Sequence, residues 1–377
     1  MSIKRITRRK FLELMGIGIG AAGTAQFMPL GKTIPDAKAA AKVKTPPDQL
    51  MRQKLAKSTF DCSKYKKDPP WRLAFVTQGK TNSWVVMFDA HVDYAVQVKY
   101  KGLFSDFFYG DSQGNAERQL DVYEDALVWR PDVMLLAPMG QAAISASVDE
   151  TMEMGIPIIY NSSRAESDNF VTWVEASNYR QGAVFAEWLA KKMNYKGKYI
   201  ALSGIAGLSV VEDRLRGARD VFSQYPGIEE LGQAYCDFSP AKGKQVTEAF
   251  LAAHPKIDAV WSGSGLQCWG AIEAFVEAGR DIPPVSGEDL NGFLRICKKY
   301  NVDFIAVNYP VEIGLHAVDA VVKTMRGETV PRYIDVPIVK FGKKDIDKYL
   351  RPDLSDDYWA IHKLPEDWIQ KLGFKKK

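Results

Sequence analysis

Short apolar runs separated by longer helical stretches constrain this 377-residue chain more than any single motif does. Leu73–Thr77 (LAFVT), Val133–Ala137 (VMLLA), Pro157–Tyr160, Tyr199–Ser203, Ala259–Ser262, Val285–Glu288 and Phe304–Asn308 read as strands, with Leu103–Tyr109 and Leu231–Asp237 more polar. A strand wet on one face alternates apolar and polar residues; most of these do not, so helices must cover both faces of a parallel sheet. The helical patterns at 83–98, 116–129, 179–193, 211–224, 244–253, 267–278, 292–300 and 311–325 supply that cover. The series makes two mononucleotide-like sets, one after the other, and a single core rarely grows beyond about 250 to 300 residues. The expected fold is therefore α/β, with two similar doubly wound parallel-sheet lobes.

The N-terminal run from Thr7 to Gly31, TRRKFLELMGIGIGAAGTAQFMPLG, is basic, then apolar, then small. A membrane helix needs roughly 20 strongly apolar residues, and Glu13 and five glycines interrupt this one. KAAAK at 38–42 offers small residues for a cleavage site. Arg8 and Arg9, followed by Lys10-Phe11-Leu12, resemble a twin-arginine export signal, an address read by a receptor. That resemblance implies a signal peptide at 1–41, the twin-arginine export machinery as a partner of the precursor, and a folded chain in the periplasm; an uncleaved anchor is the alternative. Residues 1–41 carry seven basic and two acidic side chains, so without them the formal charge falls from +4 to −1. A nucleic-acid partner is not indicated by that balance.

Nothing in the sequence supplies a reaction. The histidines, His91, His254, His316 and His362, form no metal-ligand spacing, and neither a metal nor a cofactor is expected. Cys62, Cys236, Cys268 and Cys297 are too dispersed for a disulfide framework; buried thiols are the plainer reading, one disulfide the other. SGIAGLS at 203–209 lacks both GxGxxG and a P-loop lysine, which leaves a tight strand-to-helix turn or a turn whose following side chains face a cleft.

In order along the chain, LAFVTQGKTNSW (73–84), DSQGNAERQ (111–119), RPDVMLLAP (130–138), GIPIIYNSSR (155–164), SGIAGLSVVEDRLRG (203–217), VSGEDLNG (285–292) and FIAVNYPVEIG (304–314) resemble the bacterial periplasmic sugar-binding proteins of ABC transporters, the ribose-binding branch above all. The resemblance spans roughly 71–340. It implies a type I periplasmic binding protein: two lobes, a hinge of three crossings, a cleft closing on one small sugar or polyol, an inner-membrane ABC permease as partner, and a monomer without catalysis. The crossings fall at 174–177, 307–309 and 334–337. The expected division is a lead-in at 42–70, an N-terminal lobe at 71–175 and 309–334, a C-terminal lobe at 176–308 and 335–350, and a tail at 351–377. A sensory binding protein needs the same cleft, a periplasmic enzyme needs reactive groups not seen, and a repressor needs a DNA-binding segment where the export signal stands.

The same resemblance implies the cleft residues. Asp289 corresponds to a carboxylate that accepts sugar hydroxyls, although an aspartate there also caps a helix. Arg214 offers a planar donor fork or a surface ion pair. Asn308 offers donor and acceptor together, to a ligand or to the hinge. Trp84 stands at an aromatic clamp beside Asn82, and Trp173 next to the first crossing; Trp261 and Trp269 read as core. Three places depart from the ribose-like pattern: Asn161 and Arg164 stand where an acidic-basic pair is expected, Ser177-Asn178 replaces Asp-Asn, and Ser264-Gly265 replaces Asn-Asp. Those departures point away from ribose itself and toward another sugar or polyol. Tyr358, Trp359 and Trp368 mark a tail that is partly packed.

Overall fold

A computed structural model describes residues 47–140 and 142–375. The segment read as an export signal, Arg8 and Arg9 included, lies outside the described residues. Helix α1 (Pro47–Ala56) and strand β1 (Thr59–Asp61) lead into β2 (Trp71–Thr77), α2 (Ser83–Tyr94), β3 (Phe104–Asp111), α3 (Ala116–Val128), β4 (Val133–Leu136), α4 (Ser145–Glu153), β5 (Ile158–Asn161) and β6 (Thr172–Glu175). There follow α5 (Asn178–Lys192), β7 (Lys196–Ser203), α6 (Ser209–Phe222), β8 (Gly227–Tyr235), α7 (Pro240–Ala253), β9 (Ala259–Ser262), α8 (Gly265–Glu277), β10 (Val285–Gly287), α9 (Asn291–Lys299), β11 (Phe304–Val307) and α10 (Ile313–Met325). The C-terminal part adds β12 (Thr329–Pro331), β13 (Tyr333–Asp335), β14 (Lys340–Gly342), α11 (Ile346–Tyr349) and α12 (Glu366–Lys371).

Two six-stranded sheets result. The first runs β13–β6–β5–β4–β2–β3 and is parallel throughout; the second runs β14–β11–β10–β9–β7–β8, with only β14 antiparallel. The apolar runs are strands because both faces are dry. In β7, Ile200 and Leu202 enter one core with Val260 and Phe275, while Tyr199 and Ala201 enter another with Phe185, Leu215 and Trp261. Trp261 is wholly buried, as its strand context predicts. The chain passes between sheets after β6, after β11 and after β13. Helix α10 follows a second-sheet strand yet packs on α2 and on β4, β5 and β6 of the first. All four cysteines are buried and free, so the disulfide alternative is not realised. Among the described residues no helix is long and apolar enough to cross a membrane.

Two glycines set the position of α6. A Cβ on Gly182 would lie 1.9 Å from the Arg214 carbonyl oxygen, and one on Gly217 would lie 2.1 Å from that of Tyr179. Only bare backbone lets α5 and α6 approach this closely, and that approach brings Arg214 beside Asn178.

Residues 351–375 pack on the second lobe. The buried Asn291 amide organises them, donating to Arg351 O (2.8 Å) and Ser355 O (2.9 Å) and accepting from Arg351 N (2.9 Å).

Candidate functional site

Between the two sheets lies a cavity of about 60 Å³ bounded by strand ends, helix starts and the second crossing. Its polar wall is one hydrogen-bonded chain. Ser162, at the end of β5, meets the Tyr309 hydroxyl at 3.1 Å; the Asn178 amide donates to that hydroxyl at 3.2 Å. Asn178 Oδ1 accepts from Arg214 Nε at 2.9 Å, and Arg214 Nη1 donates to Glu288 Oε1 at 3.0 Å and to Gly263 O at 2.7 Å. The chain thus runs from the first lobe, through the hinge, to the second. Ser162 adopts a φ of 69°, a left-handed conformation uncommon outside glycine, and Trp173 Nε1 steadies it by donating to Ser162 O at 3.1 Å.

The other wall is apolar. Trp84 stacks on Phe88 with ring centres 4.9 Å apart and leans on Tyr309 at 5.2 Å; its Nε1 donates to Tyr309 O at 2.8 Å. Leu208, at the end of the glycine-bearing turn after β7, and Val210, in the first turn of α6, line the cavity with Phe238 and Leu266. Trp359 of the tail closes it. An aromatic wall and a donor–acceptor pair of opposite charges together suit a neutral molecule with both C–H and O–H surface. Arg214 and Glu288 offset each other, so the site has no excess charge with which to select an ion.

Four residues singled out in the sequence line this cavity: Asn82, Trp84, Arg214 and Ser264. Two of them also cap helices. Asn82 Oδ1 accepts from Trp84 N and Val85 N (3.0 and 3.2 Å), which leaves its amide nitrogen for a ligand, and Ser264 Oγ accepts from Leu266 N (3.3 Å). Asn178 stands one bond behind, holding Arg214.

Others are placed elsewhere. Asp289 does not line the cavity: its Oδ2 accepts from Ile361 N at 2.7 Å, and the carboxylate at the cavity belongs to Glu288, one residue earlier. Burial pushes the Asp289 carboxyl up to about 8. Asn308 ties the second crossing to the third, its Oδ1 accepting from Val339 N at 2.7 Å. Asn161 is buried at the end of β5 and neither of its amide atoms has a partner among the described residues; the turn at Ser162 presents Ser162 to the cavity instead. Trp173 and Arg164 line a separate groove, where the Trp173 ring lies 4.8 Å from the Arg52 guanidinium and 5.7 Å from that of Arg164. Trp269 is half-buried and donates to Glu273 at 2.8 Å.

Tyr309, Glu288, Ser162, Gln78 and Trp359 were not among the sequence candidates. Tyr309 and Glu288 adjoin Asn308 and Asp289, so at each of those strand ends the cavity is lined by the neighbouring residue. Trp359 carried only the signal of an apolar residue in a polar tail.

No reactive constellation accompanies this geometry. Among the described residues no group of His, Cys, Asp and Glu is arranged to hold a metal. Burial pushes the Cys236 thiol up to about 12 and the His91 imidazole down to about 3, and neither lines the cavity.

The family model for a periplasmic binding protein domain matches residues 73–329. The chain belongs to that family. A ribose import binding protein of Bacillus subtilis is 27% identical to this binding protein over 228 residues, 60% of this chain and 74% of the relative. The ribose import binding protein of Escherichia coli is 28% identical over 223 residues, 58% and 74% of the two chains. Among solved structures, an ABC transporter solute-binding protein from Bacillus halodurans with bound myo-inositol superposes with a TM-score of 0.68 at 21% identity, covering 75% of this chain and 98% of that one. A galactofuranose-binding protein gives 0.68 at 20%, covering 74% and 97%. These structural likenesses establish the fold. The matched span runs from 73 to 329, so α1 with Arg52, β13, β14 and the tail with Trp359 all lie outside it in this binding protein.

Proposed function

We propose that this chain is the substrate-binding component of an ABC importer, which captures a small sugar or polyol in the periplasm and delivers it to the permease without chemistry. The observation that carries the reading is the unbroken polar chain Ser162–Tyr309–Asn178–Arg214–Glu288 facing the Trp84 ring, in a protein of this family. The relatives named for ribose import, and the neighbour holding myo-inositol, support a polyhydroxylated ligand. Hydroxyls exchange with Arg214, Glu288, Ser162, Ser264 and the Asn82 amide, and the C–H face lies on Trp84. An apolar cavity of about 150 Å³ holds benzene; at about 60 Å³, this one admits a sugar only as the lobes part. The moving bodies are the lobes at 71–175 with 309–334 and at 176–308 with 335–350, and the protein acts as a monomer.

Mass spectrometry of protein purified without added sugars identifies the ligand, and calorimetry then measures it. Arg214→Ala is expected to weaken binding on the order of 10- to 100-fold, since a hydrogen bond to a charged group contributes about 1.5 to 3 kcal/mol. Unchanged affinity, or turnover of the ligand, would overturn the reading.

Export by the twin-arginine pathway is the accompanying proposal, supported by Arg8-Arg9-Lys10 before the apolar run. Replacing both arginines with lysine is expected to leave precursor-sized protein in the cytoplasm on fractionation. Normal processing and periplasmic recovery would refute it.

A further inference from the structure

Helix α2 belongs to two cores. Phe88 and Val92 pack in the first lobe, whereas Met87 and Ala90 join the cluster that contains Tyr358, Trp359 and Ile369. The face that carries Met87 and Ala90 also carries Ser83, His91 and Tyr94, at the three- and four-residue spacing of one helical stripe. Each of these three meets the C-terminal segment. Trp359 Nε1 donates to Ser83 Oγ at 2.9 Å, Lys363 N donates to His91 Nε2 at 3.2 Å, and the Trp368 ring sets its edge against Tyr94 with centres 5.4 Å apart. The His91 acceptor is fixed by its tautomer, because Nδ1 donates to Met87 O at 2.7 Å.

The other side of the same segment is fastened to the second lobe. Leu290 and Trp359 form an antiparallel bridge, and Ala360 N donates to Asp289 O at 3.0 Å. Ile361 N donates to the Asp289 carboxylate. The tail therefore spans the lobes at the end of the cleft where α2 begins, and one of its residues, Trp359, is itself a wall of the cavity.

We infer that the C-terminal segment is a clasp across the cleft, with Trp359 both its pin and a size-setting wall of the ligand cavity. This rests on the reading of that cavity as the ligand site. Parting the lobes carries α2 away from the second sheet while Trp359 stays with Leu290, so the bonds to Ser83 and His91 must break before the cavity widens. A ligand that enters also meets the Trp359 ring, which limits how large it is.

Two measurements on the full chain separate the clasp from the ligand reading. In ligand-free protein, Trp359→Phe keeps an aromatic ring but loses the indole N–H, and Ser83→Ala loses only the acceptor. Both are expected to keep the fold by circular dichroism and to speed hydrogen exchange across 358–364 about fivefold, the effect of one net hydrogen bond, with β2 and β4 unchanged. Wild-type exchange in both variants overturns the clasp. Calorimetry with glycerol, D-ribose and myo-inositol then tests the wall. Trp359→Ala, or Trp359→Phe should the alanine variant not fold, is expected to raise affinity for myo-inositol relative to glycerol at least tenfold. An unchanged ratio removes Trp359 as a size limit. Absence of binding by every probe to every variant removes the wall and the polyol reading together, and leaves the clasp to be judged by exchange alone.

Discussion

Glu288 and Asp289 leave the end of β10 in different directions, and their environments separate their roles. Glu288 faces the cavity against Arg214, whereas Asp289 is enclosed, with Oδ2 on Ile361 N and Oδ1 without a partner among the described residues. Burial, helped by the neighbouring Glu288 charge, pushes the Asp289 carboxyl up to about 8, against the ordinary 3.8. A raised carboxyl favours the protonated folded state, so its contribution is complete below the unfolded value and is lost as pH rises from 3.8 through 8. Asp289→Asn, which keeps an oxygen for Ile361 N, is expected to gain on the wild type over that window, by on the order of 5 kcal/mol at pH 9. Thermal unfolding at pH 4 and pH 9 checks this, and a gap between the two proteins that does not widen with pH rules it out. The pair also shows why the site was only partly legible. A strand end is readable from its apolar run, and Asn82, Trp84, Arg214 and Ser264 stand at such ends or on the helices that follow. Which of two adjacent residues turns inward depends on local twist and on what covers the other, and here the tail covers Asp289. Asn308 is claimed by Val339 in the same way, which leaves Tyr309 to face the cleft.

At the scale of elements, the apolar runs β2, β4, β5, β9 and β11 were legible because each is buried on both faces, a state composition alone reveals. The pieces that went unread are short. Strands β12, β13 and β14 have three residues each, too few to show a period, and exist because a neighbour supplies the ladder. Tyr333, for example, pairs with Trp173 at the edge of the first sheet, and Lys340 with Val307 at the edge of the second. The first crossing, read at 174–177, begins inside a strand, β6, that the sequence reading did not include. Helix α2 shows the converse limit: its apolar residues fall on two faces, and a sequence does not say that the second face waits for a segment some 270 residues away.

Across the whole molecule, two parts outside the matched span meet both lobes, the tail at the cavity and α1 at the separate groove lined by Arg52 and Trp173. Arg52 of α1 reaches between the lobes: Nε donates to Glu175 of the first at 2.5 Å, and Nη2 to Asp213 of the second at 2.7 Å, with Tyr333 donating to the same Glu175 oxygen at 3.1 Å. Burial opposes charge on both partners, yet the two carboxylates hold the Arg52 guanidinium above its ordinary value, while Glu175 is raised by its own enclosure. Such a cluster contributes little net stability when whole, but removing one member strands the others and costs roughly 3 to 5 kcal/mol. Arg52→Met is therefore expected to lower the thermal midpoint sharply and, since the tie between Glu175 of the first lobe and Asp213 of the second is then lost, to enlarge the ligand-free radius of gyration in solution scattering. Adding Glu175→Gln removes one of the stranded charges and is expected to recover at least about 1 kcal/mol of the loss, a coupling that a double-mutant cycle reads directly. If the second substitution recovers nothing and the scattering radius stays at the wild-type value, Arg52 is a packing residue of the lead-in helix and does not join the lobes.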